Sequence, residues 1–280
     1  MLLALLASGL LLNSRAADPA VPPLLSGKKA YSVYVIGNSY TKTGELYLAN
    51  VLTALSNNSN STARIKAGAK YGSNTDLKYH WRSGEKRVRK GNYDALVLQE
   101  HSQRPLKNPE ETIEYVRKFK QVMDAKGGKV VLFMFWSRGN SAKQTAALSK
   151  KFTELGKELD VAVAPVGLAW QLALKEKPDL RLYQKDGAHP TPLAFYLNAC
   201  VLYATLTGHS PVGLGDAGMK DLEPELRAFL QDVAWRTVRE YCGKTGIAGQ
   251  IARPTGESHR GPPNVGRAIS PAILQQGTAE

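Results

Sequence analysis

Three residue types that together carry out acyl transfer stand in two short segments far apart in the chain. The first is Val33-Tyr34-Val35-Ile36-Gly37-Asn38-Ser39-Tyr40-Thr41, an apolar run entering a tight turn with a hydroxyl at its tip. The second is Asp186-Gly187-Ala188-His189-Pro190, which sets a carboxylate and an imidazole three residues apart on one loop. A serine hydroxyl is a weak nucleophile until a neighbouring imidazole takes its proton. That imidazole must present one tautomer, which a carboxylate at its other nitrogen enforces. Ser39 as nucleophile, His189 as general base and Asp186 as the orienting group therefore read as the parts of a hydrolase for esters. Each residue also has a plainer role open to it. Ser39 and Thr41 could cap a following helix, Asp186 could cap the helix that begins near Pro190, and His189 could be an ordinary loop residue. The conjunction favours chemistry.

Such residues meet only if the elements around them bring them together. Apolar segments at residues 31–36, 63–69, 93–98, 129–135 and 161–166 read as strands. Between and after them, helical patterns run over 45–55, 75–81, 109–125, 141–159, 169–175, 192–206 and 224–241. Strands that are apolar along their whole length are buried on both faces, and intervening helices imply right-handed parallel crossovers. The expected fold is α/β: a three-layer α/β/α sandwich around a five-stranded parallel sheet. Ligands bind such sheets at the carboxyl ends of the strands. Ser39, Gly72 and Gln99 follow the first, second and third strands and should project to that one edge.

The Gly-Asn-Ser-Tyr-Thr turn and the Asp-x-x-His-Pro turn together resemble the outer motifs of the SGNH/GDSL hydrolase superfamily, over residues of about 30–207. The resemblance implies a flavodoxin-like strand order, esterase activity, and the triad roles given above for Ser39, His189 and Asp186. It also implies an oxyanion hole built from the Ser39 N–H, a glycine N–H after the second strand and an asparagine side chain after the third. The family's Gly-x-Asn-Asp is absent, and Leu98-Gln99-Glu100-His101-Ser102 stands in its place, which marks a divergent branch. Gln99 carries the same carboxamide on a longer stem and becomes the expected donor. Gly72 is the expected glycine, with Gly68 second. Asn38 should hold the turn by bonding its own backbone and lie against substrate. His80, His101 and Trp136 are candidate substrate contacts, although His80 beside Trp81 and Trp136 beyond the fourth strand suit packing equally well.

The bulk properties bound the remaining readings. A chain of 280 residues, 43% hydrophobic and 22% charged, can bury one good core. The net charge of +13 raises nucleic acid as a partner. However, the basic run Lys86-Arg87-Val88-Arg89-Lys90 has no nucleic-acid motif around it and reads as a solvated turn. No nucleic-acid partner is expected, and the charge fits a weak affinity for anionic polymers. The stretch Ser39-Tyr40-Thr41-Lys42-Thr43-Gly44 also resembles a phosphate loop, as in a flavin mononucleotide binder, but that reading leaves Asp186 and His189 idle. A non-catalytic carbohydrate-binding domain is the other alternative. No Cys/His cluster indicates a metal, and no cofactor is expected. Cys200 and Cys242 suit one disulfide or two buried thiols. Residues 1–16 read as a signal peptide whose apolar run is too short to span a bilayer, so the mature chain is expected to be secreted or periplasmic. Residues 28–242 form the expected hydrolase domain, and 243–280 read as a disordered Gly/Pro-rich tail. Export favours O-acetyl groups on a carbohydrate as substrate, with lipase or general carboxylesterase activity as alternatives. The sugar, the acyl group and the oligomeric state stay open.

Overall fold

The computed structural model describes residues 21–247, so the expected signal peptide and most of the expected tail lie outside the described residues. The chain begins with strand β1 (Ala30–Gly37) and a small antiparallel pair, β2 (Lys42–Thr43) and β3 (Leu46–Tyr47), followed by α1 (Leu48–Ser56). It continues through β4 (Arg64–Tyr71), α2 (Leu77–Lys90), β5 (Ala95–Leu98), α3 (Arg104–Lys107) and α4 (Pro109–Asp124). Then come β6 (Lys129–Phe133), a single tight helical turn at Arg138–Asn140, α5 (Ala142–Leu159), β7 (Ala162–Ala164) and α6 (Val166–Glu176). Two helices close the fold, α7 (Pro192–Thr207) and α8 (Pro224–Thr245).

Five strands form one parallel sheet in the order β4-β1-β5-β6-β7. Chain order thus reverses at β1, which has its successor β4 on one side and β5 on the other. Crossovers leave β1 in opposite directions, and the crevice beyond its carboxyl end is where such sheets place a ligand. The centre of the sheet is buried, and β5, Ala-Leu-Val-Leu, is buried along its whole length. At the edge, β4 alternates with polar residues, including Lys66 and Lys70, as a strand with a free side does. Helix α7 is the most enclosed helix, with Ala194 to Thr207 all buried.

Several boundaries differ from those expected. Residues 45–47 form the β2–β3 hairpin instead of the start of a helix, so α1 begins at Leu48, and neither Ser39 nor Thr41 caps it. The same hairpin removes the helix N-terminus on which the phosphate-loop alternative depended. Helix α2 runs to Lys90, so Lys86 to Lys90 are its final turn, not a loop. Cations there complement the negative end of the helix dipole. The core also extends past both expected domain limits: Val21, Leu24, Leu25 and Ile247 are buried in it. Cys200 and Cys242 are both buried and unbonded. Among the described residues no helix is long and apolar enough to cross a membrane, and no cluster of three or more metal-binding side chains occurs.

Candidate active site

Ser39 sits two residues beyond the carboxyl end of β1, on a turn held by a set of hydrogen bonds around Asn38. The Asn38 N–H donates to Gln99 Oε1 at 2.8 Å. Asn38 Oδ1 accepts from the Tyr40 N–H at 3.1 Å, and its Nδ2 donates to the Thr75 carbonyl at 2.9 Å. The Thr41 N–H and hydroxyl both donate to the Asn38 carbonyl. Gly37 must lack a side chain, because a Cβ there would meet Gln99 Oε1 and the Thr41 hydroxyl at 2.7 Å each. Ser39 is left half-buried with its own N–H unpaired among the described residues.

His189 reaches this turn from the loop between α6 and α7. Its Nε2 lies 2.9 Å from Ser39 Oγ, and its Nδ1 bonds Asp186 Oδ2. The other Asp186 oxygen accepts the N–H groups of Ala188 and His189 at 3.0 Å each. The hydrogen bond from His189, followed by those two N–H groups, holds the Asp186 carboxyl well below the usual carboxylate range. The tight loop needs Gly187 at φ +64° and is fastened from three sides. Trp136 Nε1 donates to the Ala188 carbonyl at 2.9 Å, and the Gly139 N–H donates to the Gly187 carbonyl at 2.9 Å. Gln184 Nε2 donates to Thr43 Oγ1 at 2.9 Å, tying the loop to the β2–β3 hairpin. The sequence-predicted Ser39, His189 and Asp186 thus meet in the order that proton transfer requires.

Of the expected oxyanion donors, the Ser39 N–H is free among the described residues, whereas Gln99 and Gly72 are not. Gln99 is wholly buried, accepts from Asn38 through Oε1 and donates its Nε2 to the Glu100 carbonyl. Because the Asn38 N–H fixes which end is oxygen, the amide nitrogen is committed to the Glu100 carbonyl and not to Ser39. Gly72 is likewise committed, its N–H donating to the Gly37 carbonyl at 3.2 Å. Gly68 lies within β4 against the Tyr34 ring, away from the strand's end. Beyond Gly72, however, the N–H groups of Ser73 and Asn74 make no hydrogen bond among the described residues. Both residues line the cavity of about 230 Å³ that contains Ser39 and His189, and Asn74 holds the uncommon φ of +51°. Such strain clusters where geometry serves function. A Gly-Ser-Asn-Thr sequence directly after the second strand was the signal available for these two.

The four expected substrate contacts divide. His101 lines the cavity, with Nε2 donating to Asn74 Oδ1 at 3.1 Å, and desolvation, then Arg104, lowers its pKa. Asn38 borders the cavity, but its side chain is committed to the turn. His80 is completely buried beneath the loop, bonded through Nε2 to Thr75 Oγ1 at 2.8 Å. Burial pushes its pKa down to about 4, and it keeps the loop rather than meeting substrate. Trp136 is 2% exposed, with its ring stacked at 3.9 Å on Trp170 and at 4.7 Å on Tyr40. It anchors the His189 loop and also lines a smaller cavity that shares Tyr40, Ser102 and Arg138 with the one at Ser39. Tyr40, Ser102 and Arg138 complete the cavity wall, and Arg138 was not foreseen.

No protein-family model matches the sequence, and no curated protein matches it. Among solved structures, a DUF4886 family protein from Bacteroides uniformis aligns with a TM-score of 0.61 at 16% identity, over 75% of this chain and 95% of that one. A protein assigned as an SGNH hydrolase from Slackia heliotrinireducens aligns at 0.50 and 21% identity, over 62% of this chain and 97% of that one. A protein classed as a GDSL-like lipase from Parabacteroides merdae aligns at 0.51 and 15% identity, over 67% and 99% respectively. The chain therefore has the SGNH hydrolase fold.

Proposed function

We propose that this chain is a serine esterase that cleaves carboxylic esters through an acyl-enzyme on Ser39, with O-acetyl groups on a carbohydrate as its substrates. The observation that carries the reading is the continuous relay from Ser39 Oγ through His189 to Asp186, with 2.9 Å at its first link. Ser39 Oγ attacks the ester carbonyl while His189 Nε2 takes its proton, and Asp186 stabilises the imidazolium that forms. The oxyanion is received by the N–H of Ser39 together with those of Ser73 and Asn74. Collapse of the tetrahedral intermediate expels the alcohol, which leaves with the proton returned by His189. Water, deprotonated by the same imidazole, then attacks the acyl-enzyme and releases the acid and free Ser39.

The cavity around Ser39 is small and lined by polar residue types, among them Ser73, Asn74, His101 and Arg138. That wall supports a short acyl group and a polar alcohol over the long chain of a lipid ester. With residues 1–16 read as a signal peptide, the enzyme acts on glycans outside the cytoplasm.

Ser39→Ala tests the reading directly. Hydrolysis of p-nitrophenyl acetate is expected to fall by at least about 10³-fold with the fold intact. An organophosphonate should label Ser39 in the parent and no serine in the variant. Activity retained within about tenfold of the parent would overturn the assignment.

A further inference from the structure

A second, smaller cavity of about 150 Å³ adjoins the one at Ser39, and the two share Tyr40, Ser102 and Arg138 in their walls. Together they make a cleft running from the nucleophile past Arg138 to Lys107. Neither cavity is lined by an aspartate or a glutamate. The nearby Arg104 is neutralised by Asp76 and Glu111, whereas the Arg138 guanidinium has no carboxylate partner among the described residues. The backbone at Arg138 is also tied to the loop of the relay. Its N–H donates to Gln144 Oε1 at 3.0 Å, and the next residue, Gly139, bonds the carbonyl of Gly187 in the loop that carries His189.

A charged guanidinium that lines the same cavity as Ser39, with no carboxylate partner among the described residues, is matched by an anion on the substrate. We propose that this cleft selects esters whose alcohol part carries a carboxylate or a sulfate, so that the substrates are acetylated acidic sugars. Arg138 meets that anion as a planar two-pronged donor, and Lys107 extends the positive field along the cleft. The net charge of +13 on the chain draws polyanionic glycans towards it. The proposal rests on the esterase reading and adds the substrate's charge to it.

The test compares matched pairs, each a monoacetylated sugar acid with its neutral methyl ester, and a monoacetylated sugar sulfate with its unsulfated parent. Acetate release is measured with the full chain and with Arg138→Gln. In the parent, kcat/KM should be about tenfold or more higher on the charged member of a pair, mainly through KM. That preference should shrink as ionic strength rises from about 50 to about 500 mM. In Arg138→Gln the charged-to-neutral ratio should drop towards one, a comparison independent of any overall loss of activity. Preference confined to one pair identifies whether carboxylate or sulfate is the natural group. A parent that hydrolyses p-nitrophenyl acetate but treats both members of each pair alike overturns this inference alone, as does an unchanged ratio in Arg138→Gln. A parent that hydrolyses no ester overturns the esterase reading and this inference with it.

Discussion

Gln99 stands where an oxyanion donor was expected, at the end of the third strand in sequence, and yet its amide holds up the turn that carries the nucleophile. Position was readable from the pattern, but direction was not. Direction depends on the Asn38 N–H, a buried donor that would otherwise be orphaned at an expense of about 1–3 kcal/mol. Gln99→Ala should therefore lower the melting temperature by several degrees, since about 1 kcal/mol corresponds to about 2–4 °C in a chain of this size. Its kcat should fall only as far as the loosened turn displaces Ser39. Calorimetry alongside steady-state kinetics separates the alternatives: an unchanged melting temperature with kcat down by about 10²- to 10³-fold would restore the donor role. In the proposed relay Asp186 acts differently, through the imidazole. Asp186→Asn keeps a similar shape, but its amide can turn a donor toward His189 and favour the wrong tautomer. A fall of about 10⁴-fold in kcat is expected, with little change in unfolding midpoint, because the side chain is solvent-exposed. A kcat within about tenfold of the parent would remove Asp186 from the relay.

Among the elements, Glu100 is the link that the sequence did not disclose. It follows Gln99 at the end of β5 and is 4% exposed. Its Oε1 accepts the N–H of Leu77, the first residue of α2, at 3.1 Å, and the N–H of His101 at 2.7 Å. Oε2 accepts from Thr112 on α4 at 3.2 Å. One carboxyl thus joins the carboxyl end of β5 to α2 and α4. Burial outweighs these three hydrogen bonds and pushes its pKa up to about 7. The folded state then binds this proton more tightly than the unfolded chain. The resulting stability is full below the unfolded value of about 4.5 and is lost as pH rises through about 7, an effect of about 3 kcal/mol. Denaturant midpoints should fall between pH 5 and pH 8, and Glu100→Gln should flatten that slope. A variant with the parent's slope would assign the titration elsewhere. The other elements were legible in proportion to their apolar content. Fully buried strands such as β5 announce themselves, whereas α2 buries only Leu77, His80 and Val88, and its polar length hid all but its start. The β2–β3 hairpin, two residues on each side, carries too short a pattern to separate from the helix after it.

At the scale of the whole molecule, the alternation of strands and helices sufficed for the parallel sheet and for the edge on which the site forms, whereas the strand order came from the family resemblance. The limits of the core were less legible, because Val21, Leu24 and Leu25 lie among prolines and show no period. The long-range fastening of the His189 loop by Trp136 and Gln184 has no local signature either, since each partner lies far off in sequence. Stability rests on that single core. The two cysteines, which suited a disulfide or two thiols equally, are free inside it, Cys200 on α7 and Cys242 on α8. Burial raises both thiol pKa values, that of Cys242 to about 11, so neither is a thiolate at neutral pH. Cys200 is fully enclosed on a helix that is itself surrounded, so a reagent reaches it only when the whole domain opens. A maleimide should therefore leave the native protein unlabelled at neutral pH and modify two sites in denaturant, with Cys200 reacting at the rate of global unfolding. Reductant should leave the melting temperature unchanged. A melting temperature that falls on reduction, or a denatured chain that offers no free thiol, would mean that Cys200 and Cys242 are bonded and that α8 is tied to the core covalently.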